Sequence, residues 1–177
     1  MNRGTILKTK PGDTTRPTLG RIRENLFNII RSKVPKAKVL DLFAGSGAVG
    51  LECLSRGSVS VVFVEKDPEA FRILLENILK TGHETRSIAK RTSFESYLRS
   101  SDEAFDIIYA DPPYPLKAYG TILEEVGRRK LLAQDGVLVM ESERSASVPM
   151  ETMEFICYRD VTYGNTTLRF YNNKQEV

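Results

Sequence analysis

Asp41-Leu42-Phe43-Ala44-Gly45-Ser46-Gly47-Ala48-Val49-Gly50 is the stretch on which the reading of this chain turns. It closes an apolar run, 38–43, and opens residues that read as a helix over 48–55, so a strand passes through a glycine-rich turn into a helix. Gly45, Gly47 and Gly50 satisfy G-x-G-x-x-G, and Glu65 stands at the end of a second apolar run, 60–64. Glycine permits the tight turn and lets backbone approach a ligand at the helix N-terminus. Taken alone, the pattern also fits an NAD(P)-dependent oxidoreductase.

On either side of this turn the alternation continues. Before it, Leu19, Ile22, Leu26, Phe27, Ile29 and Ile30 form a helical stripe that Thr18 can cap, with Pro35 just past its end. After it, Asp67 caps a helix with Pro68 at its first position and Gly82 at its stop. A strand near 86–90, a helix over 94–100, a strand at 105–110, a helix around 117–130 and a strand at 137–141 follow. The ending differs, because 154–163 and 166–171 read as strands joined by a Gly164-Asn165 turn. The expected fold is α/β and Rossmann-like: a mostly parallel sheet with helices on both faces, closed by an antiparallel hairpin.

Asp41 bears on the ligand. An acid four residues before the first glycine would repel a pyrophosphate. It would attract S-adenosylmethionine, which carries a sulfonium and a protonated amine. The plainer reading of Asp41 is a capping or turn acid. Glu65 can accept both ribose hydroxyls of either cofactor, so it supports adenosine without discriminating.

The fourth strand delivers Asp111-Pro112-Pro113-Tyr114 at its C-terminal end, where ligands of open α/β sheets bind. Two consecutive prolines fix φ and remove two donors, so the carbonyls here point in fixed directions. An exocyclic base amine is a poor nucleophile because its lone pair is delocalised into the ring. The Asp111 carboxylate and the Pro112 carbonyl can each accept one amine N–H, aiming the lone pair at a methyl donor, and Asp111 can stabilise the charge that develops on nitrogen. Tyr114 offers a face for a base, a stacking contact of roughly 1–3 kcal/mol. A base in a duplex or stacked loop must swing out to reach such a pocket.

Composition narrows the classes. The 177 residues suit one domain, 1–177, comprising a basic arm and helix (1–35) and a catalytic core (36–177). Cys53 and Cys157 have no C-x-x-C partner, and His83 is the lone histidine, which reads as a surface-loop residue; no disulfide or metal site is expected. The N-terminus has no signal-peptide core and no run approaches a membrane span, so a soluble, cytoplasmic chain is expected. Net charge is +3, yet residues 1–38 hold ten Lys or Arg against two acids. That segment reads as a solvated basic face or as a phosphate-binding arm.

The stretches 16–30 (RPTLGRIRENLFNII), 41–57 (DLFAGSGAVGLECLSRG), 64–70 (VEKDPEA) and 111–114 (DPPY) resemble the RsmD family of bacterial 16S ribosomal RNA guanine-N2 methyltransferases. Many methyltransferases share DLFAGSG and DPPY; the block before the first strand is more specific. The resemblance covers nearly the whole chain and implies a seven-stranded methyltransferase sheet. It implies S-adenosylmethionine as cofactor and S-adenosylhomocysteine as product, bound by Asp41, Phe43, Ala44, Gly45, Ser46 and Gly47 toward the methionine end and by Glu65 and Lys66 toward the ribose and adenine. Asp111, Pro112, Pro113 and Tyr114 would hold the target guanine. Arg16, Thr18, Arg21 and Arg23 would border the active site and touch RNA phosphates. Where relatives carry an acid toward the adenine amine, this chain reads Arg91-Thr92-Ser93, so backbone contact at Thr92 and Ser93 is expected instead.

The implied partner is 16S ribosomal RNA, free or within the assembled small subunit, with the enzyme a monomer. The nearest rival is an N6-adenine methyltransferase on DNA or RNA, because DPPY serves either amine; no separate target-recognition domain is expected within these 177 residues. An oxidoreductase is disfavoured by Asp41. A non-catalytic RNA-binding module is disfavoured by intact Asp41, Glu65 and Asp111.

Overall fold

Along each central strand, neighbouring side chains enter two different cores, as the period of two requires. Val39, Val61, Phe63, Ile107, Tyr109, Val137 and Val139 enter one; Leu40, Val62, Val64, Ile108, Ala110, Leu138 and Met140 enter the other. Both faces of the sheet are therefore covered, which accounts for the unbroken apolar runs in these strands. The computed structural model describes residues 6–9, 17–113 and 118–174, excepting the side chains of residues 17–19.

Among the described residues, five α-helices and seven strands are arranged as α1 (Pro17–Ile29), β1 (Lys38–Asp41), α2 (Ala48–Ser55), β2 (Ser60–Val64), α3 (Pro68–Thr81), β3 (Ser87–Lys90), α4 (Phe94–Ser100), β4 (Phe105–Ala110), α5 (Tyr119–Arg128), β5 (Leu132–Glu143), β6 (Phe155–Tyr163) and β7 (Thr166–Asn173). The sheet order is β3-β2-β1-β4-β5-β7-β6. The first five strands of that order are parallel, and β7 runs antiparallel to both neighbours. The expected seven-stranded α/β architecture is what the chain adopts. The last strand enters between β5 and β6 rather than adding at the edge.

Helices α1, α2 and α3 supply Ile22, Leu26, Phe27, Leu51, Leu54, Leu74 and Ile78 to the first core. Helices α4 and α5 supply Phe94, Leu98, Ile122, Leu123 and Val126 to the second. Burying such side chains is worth roughly 1.5–3 kcal/mol each. The α3 boundaries are set as the sequence predicts: Asp67 accepts the Ala70 N–H at 2.8 Å, and Gly82 ends the helix at φ 68°.

Several strand ends shift by one or two residues, and three boundaries differ for a physical reason. α1 opens at Pro17, a favoured first-turn residue, so Thr18 lies inside the helix and is not its cap. α5 covers 119–128, inside the expected 117–130. β5 starts five residues before the expected 137, because Leu132 pairs with Phe105 and the ladder resumes at Val137 opposite Ile107. Ala133-Gln134-Asp135-Gly136 fill that irregularity and resemble a turn when read in sequence alone. Among the described residues, no helix is long and apolar enough to cross a membrane.

Candidate active site

The glycine turn is built by three separate interactions. Gly45 and Gly47 occupy left-handed conformations, φ 52° and 84°, which glycine adopts without a Cβ penalty. Gly50 has an ordinary φ, but a Cβ there would fall 2.2 Å from the Phe63 ring and 2.9 Å from Val61. Its role is to let α2 lie close on β2. From α3, the fully buried Asn77 donates to the Ser46 carbonyl at 2.8 Å. The same amide donates to the Lys8 carbonyl at 3.0 Å and accepts the Lys8 N–H at 2.9 Å. One side chain thus fastens the N-terminal segment and the turn together.

Beyond the C-terminal ends of the parallel strands lies a cleft of about 530 Å³, within the range of small-molecule sites. Glu65, at the end of β2, forms part of its wall; its Oε2 accepts the Gly45 N–H and its Oε1 the Asp67 N–H, both at 2.8 Å. Two main-chain donors fix the carboxylate, and each oxygen keeps accepting capacity for a ligand hydroxyl. Phe43 and Phe94 meet at 5.1 Å between ring centroids and give this end an aromatic surface. Lys66 and Thr92 line the same region, whereas Ser93 caps α4 by accepting the Ser96 N–H.

Asp41 is fully buried beneath the turn and is absent from the cleft lining. Its Oδ2 accepts the Gly50 N–H at 3.1 Å, while among the described residues Oδ1 has no hydrogen-bond partner. A strand-end carboxylate therefore caps the first turn of α2, a service that the Gly47 cap position cannot supply. Burial pushes the carboxyl up to about 7, opposed by the Gly50 bond and reinforced by the charge of Glu65. The capping alternative raised from sequence is the geometry observed, and the acid still places potential charge behind the turn.

Two further acids stand on the same face of the sheet. Ala110 pairs with Met140, so the next positions bring Asp111 beside Glu141. Asp111 is exposed because it faces the cleft, yet the surrounding protein desolvates it. That desolvation, with the charges of Glu141 and Asp41, pushes its carboxyl up to about 8. Glu141 is also raised, mainly by burial, and its Oε2 accepts the Tyr109 hydroxyl at 2.5 Å. Pro112 is buried and Pro113 exposed, and both line the cleft with Asp111.

Of the expected residues, Phe43, Gly45, Glu65, Lys66, Thr92, Asp111, Pro112 and Pro113 converge on this one cleft. Asp41, Ala44, Ser46, Gly47 and Ser93 do not line it; Asp41, Ser46, Gly47 and Ser93 serve the turn or a helix cap instead. Tyr114, Arg16 and the Thr18 side chain lie outside the described residues. Arg21 is exposed, but the Arg23 guanidinium pairs with Glu52 at 2.9 Å, so it already helps join α1 to α2. Sequence reasoning missed Asp67, Phe94, Tyr119, Glu141, Ser142, Glu143 and Thr166 in the lining. Glu141 carried a usable signal, an acid closing an apolar strand, the same sign that singled out Asp41, Glu65 and Asp111. Thr166 carried none, since only the β5–β7 pairing brings it here.

Comparison with known proteins extends this geometry. Residues 1–172 match the family described as Conserved hypothetical protein 95. The Ribosomal RNA small subunit methyltransferase D of Escherichia coli (strain K12) is 30% identical, over 98% of this chain and 87% of that protein. A hypothetical protein of Thermus thermophilus superimposes with a TM-score of 0.80 at 32% identity, covering 96% of this chain and 94% of that one. An RNA methyltransferase from Salinibacter ruber, solved in complex with S-adenosyl-L-homocysteine, shares the fold with a TM-score of 0.68 at 13% identity, covering 92% and 96%.

Proposed function

The chain belongs to the Conserved hypothetical protein 95 family of RsmD-like ribosomal RNA methyltransferases, and on that basis we propose that it transfers a methyl group from S-adenosylmethionine to the N2 amine of a guanine in 16S ribosomal RNA. The observation that carries the reading is the placement of Asp111 beside Glu141, one strand away from Asp41. Such a row of acids favours a cationic ligand and disfavours a pyrophosphate. Among the described lining residues Lys66 is the one cation, at the Glu65 end.

The residues present fit the cofactor. The carboxylate of Glu65 suits two ribose hydroxyls, Phe43 and Phe94 suit the adenine, and the acid of Asp41 behind the glycine turn suits the ammonium and sulfonium. When bound, S-adenosylmethionine supplies an electrophilic methyl group. Asp111 and the Pro112 carbonyl hold the amine by its two N–H bonds. The nitrogen gains positive charge as it is alkylated and must then lose a proton. With its carboxyl pushed up to about 8, Asp111 is a far better proton acceptor than an ordinary aspartate. The partner comes from the relative's name and from the basic 1–38 segment; a monomer acting in the cytoplasm is part of the same proposal.

The test is transfer of labelled methyl from S-adenosylmethionine to small ribosomal subunits, naked 16S RNA and duplex DNA, followed by nucleoside digestion and mass analysis. N2-methylguanosine from the ribosomal samples is the expected product. N6-methyladenine in its place would overturn the choice of base, and no incorporation by protein that binds the cofactor would overturn the acceptor class.

A further inference from the structure

The DPPY turn grips an amine without reporting which base carries it. Asp111 and Pro112 accept N–H bonds, and the N2 amine of guanine and the N6 amine of adenine both offer them. The two bases differ at the neighbouring ring position, N1, which bears a hydrogen in guanine and a lone pair in adenine. A residue that selects guanine would present an acceptor one step from Asp111.

Glu141 meets that requirement. It continues the parallel register from Ala110–Met140, so its backbone lies one strand spacing, roughly 4.8 Å, from that of Asp111. It lines the same cleft, although the residue is only 8% exposed. Its Oε2 is held by the buried Tyr109 hydroxyl, and among the described residues Oε1 accepts no hydrogen bond. The Tyr109 bond favours the charged, accepting form of the acid against the effect of burial. Accepting the buried Tyr109 hydroxyl is a task that a neutral glutamine would perform at less cost than a buried carboxylate.

We propose that Glu141 is the specificity determinant of this site: its Oε1 accepts the N1–H of the target guanine while Asp111 and Pro112 hold the N2 amine. The assignment rests on the guanine-N2 reading above. Adenine would bring its N1 lone pair against this oxygen, with no proton between two acceptors. A site built to bond a substrate N–H rejects the analogue lacking it far more strongly than a site that merely encloses it.

The probe is 2-aminopurine, which keeps the C2 amine and has an unprotonated N1. Once the methylated guanosine is mapped, it is replaced by 2-aminopurine riboside in 16S RNA assembled into small subunits. Single-turnover rates are then compared for wild type and Glu141→Gln. Wild type is expected to prefer guanine by roughly a hundredfold or more. Glu141→Gln, whose amide can donate to N1, is expected to reduce that preference to within tenfold, each rate being read at saturating cofactor. Loss of O6 in 2-aminopurine is common to both enzymes and cancels in the comparison. Equal wild-type rates on the two bases, or full preference kept by the variant, would overturn the assignment. Should Glu141→Gln be inactive on both, Tyr109→Phe decides, because it frees the carboxylate while leaving it in place; a reduced preference supports the proposal and an unchanged one overturns it. Wild-type enzyme that makes no N2-methylguanosine at all would instead bring down the function proposed above.

Discussion

At the scale of single residues, two aspartates that look alike in sequence have separate roles. Asp111 faces the cleft and Asp41 lies sealed beneath it. Replacing Asp111 by Ala is expected to reduce methyl transfer by at least about 10²–10³-fold, the scale of losing one transition-state partner, with cofactor affinity nearly intact. Asp41→Ala is expected to weaken cofactor binding instead, by releasing the Gly50 N–H and the turn above it. If calorimetry and single-turnover kinetics showed only lost affinity in both, this division would be wrong. Asp41 also makes stability depend on pH. Its carboxyl rises from 3.8 to about 7 on folding, so between those values the folded state keeps a proton that the unfolded chain has released. The associated stability is complete below about pH 4 and is lost as pH rises through 7. Asp41→Asn stays neutral throughout, so its melting temperature relative to wild type should climb from pH 4 to pH 8 in the ligand-free protein. A flat difference would show that the acid is not held protonated.

Among the elements, the turn after β1 depends on contacts that run across the chain. Asn77 belongs to α3, 31 residues from Ser46 and 69 from Lys8. Asn77→Ala would remove the bonds to part-buried main-chain groups of both, each such bond contributing about 0.5–1.5 kcal/mol. The expected readouts are a lower melting temperature, faster amide exchange at Lys8 and weaker cofactor binding. Unchanged exchange at Lys8 would mean the N-terminal segment is held elsewhere. Gly50→Ala tests a different contact. Its Cβ would overlap the Phe63 ring, and such overpacking costs roughly 1–3 kcal/mol; urea unfolding should show the loss, and a neutral result would mean α2 can shift freely on β2.

For the molecule as a whole, charge is divided between a basic N-terminal segment and an acidic remainder, +8 over residues 1–38 against −5 elsewhere. The arginines of α1 differ in their contacts. Arg21 is exposed, so Arg21→Glu should weaken RNA binding and reduce the salt dependence of that binding. Arg23 is engaged with Glu52, which also holds Arg56 at 2.6 Å, and Arg56 lies over the Phe27 ring at 4.6 Å. Arg23→Glu should therefore lower stability as well as RNA affinity. Equal salt-dependent losses with equal melting temperatures would assign both arginines to RNA alone.

Legible in the sequence were the order of elements, the parallel core with its terminal hairpin, and the meeting of Gly45, Glu65 and Asp111 in one cleft at the strand ends. Each of those readings rests on interactions within a few residues: strand periodicity, caps such as Asp67 and Gly82, a glycine turn, a proline pair. Strand pairing and burial settled the rest. They placed β7 between β5 and β6, brought Thr166 and Glu143 into the cleft, and paired Arg23 with Glu52. They also turned Asp41 inward as a helix cap and set Glu141 beside Asp111. The division arises because a carboxylate's role follows from its neighbours and its solvent. Both are contributed by segments far apart in the chain, so an acid at a strand end can be recognised in sequence, while the direction it faces is fixed only when the sheet closes around it.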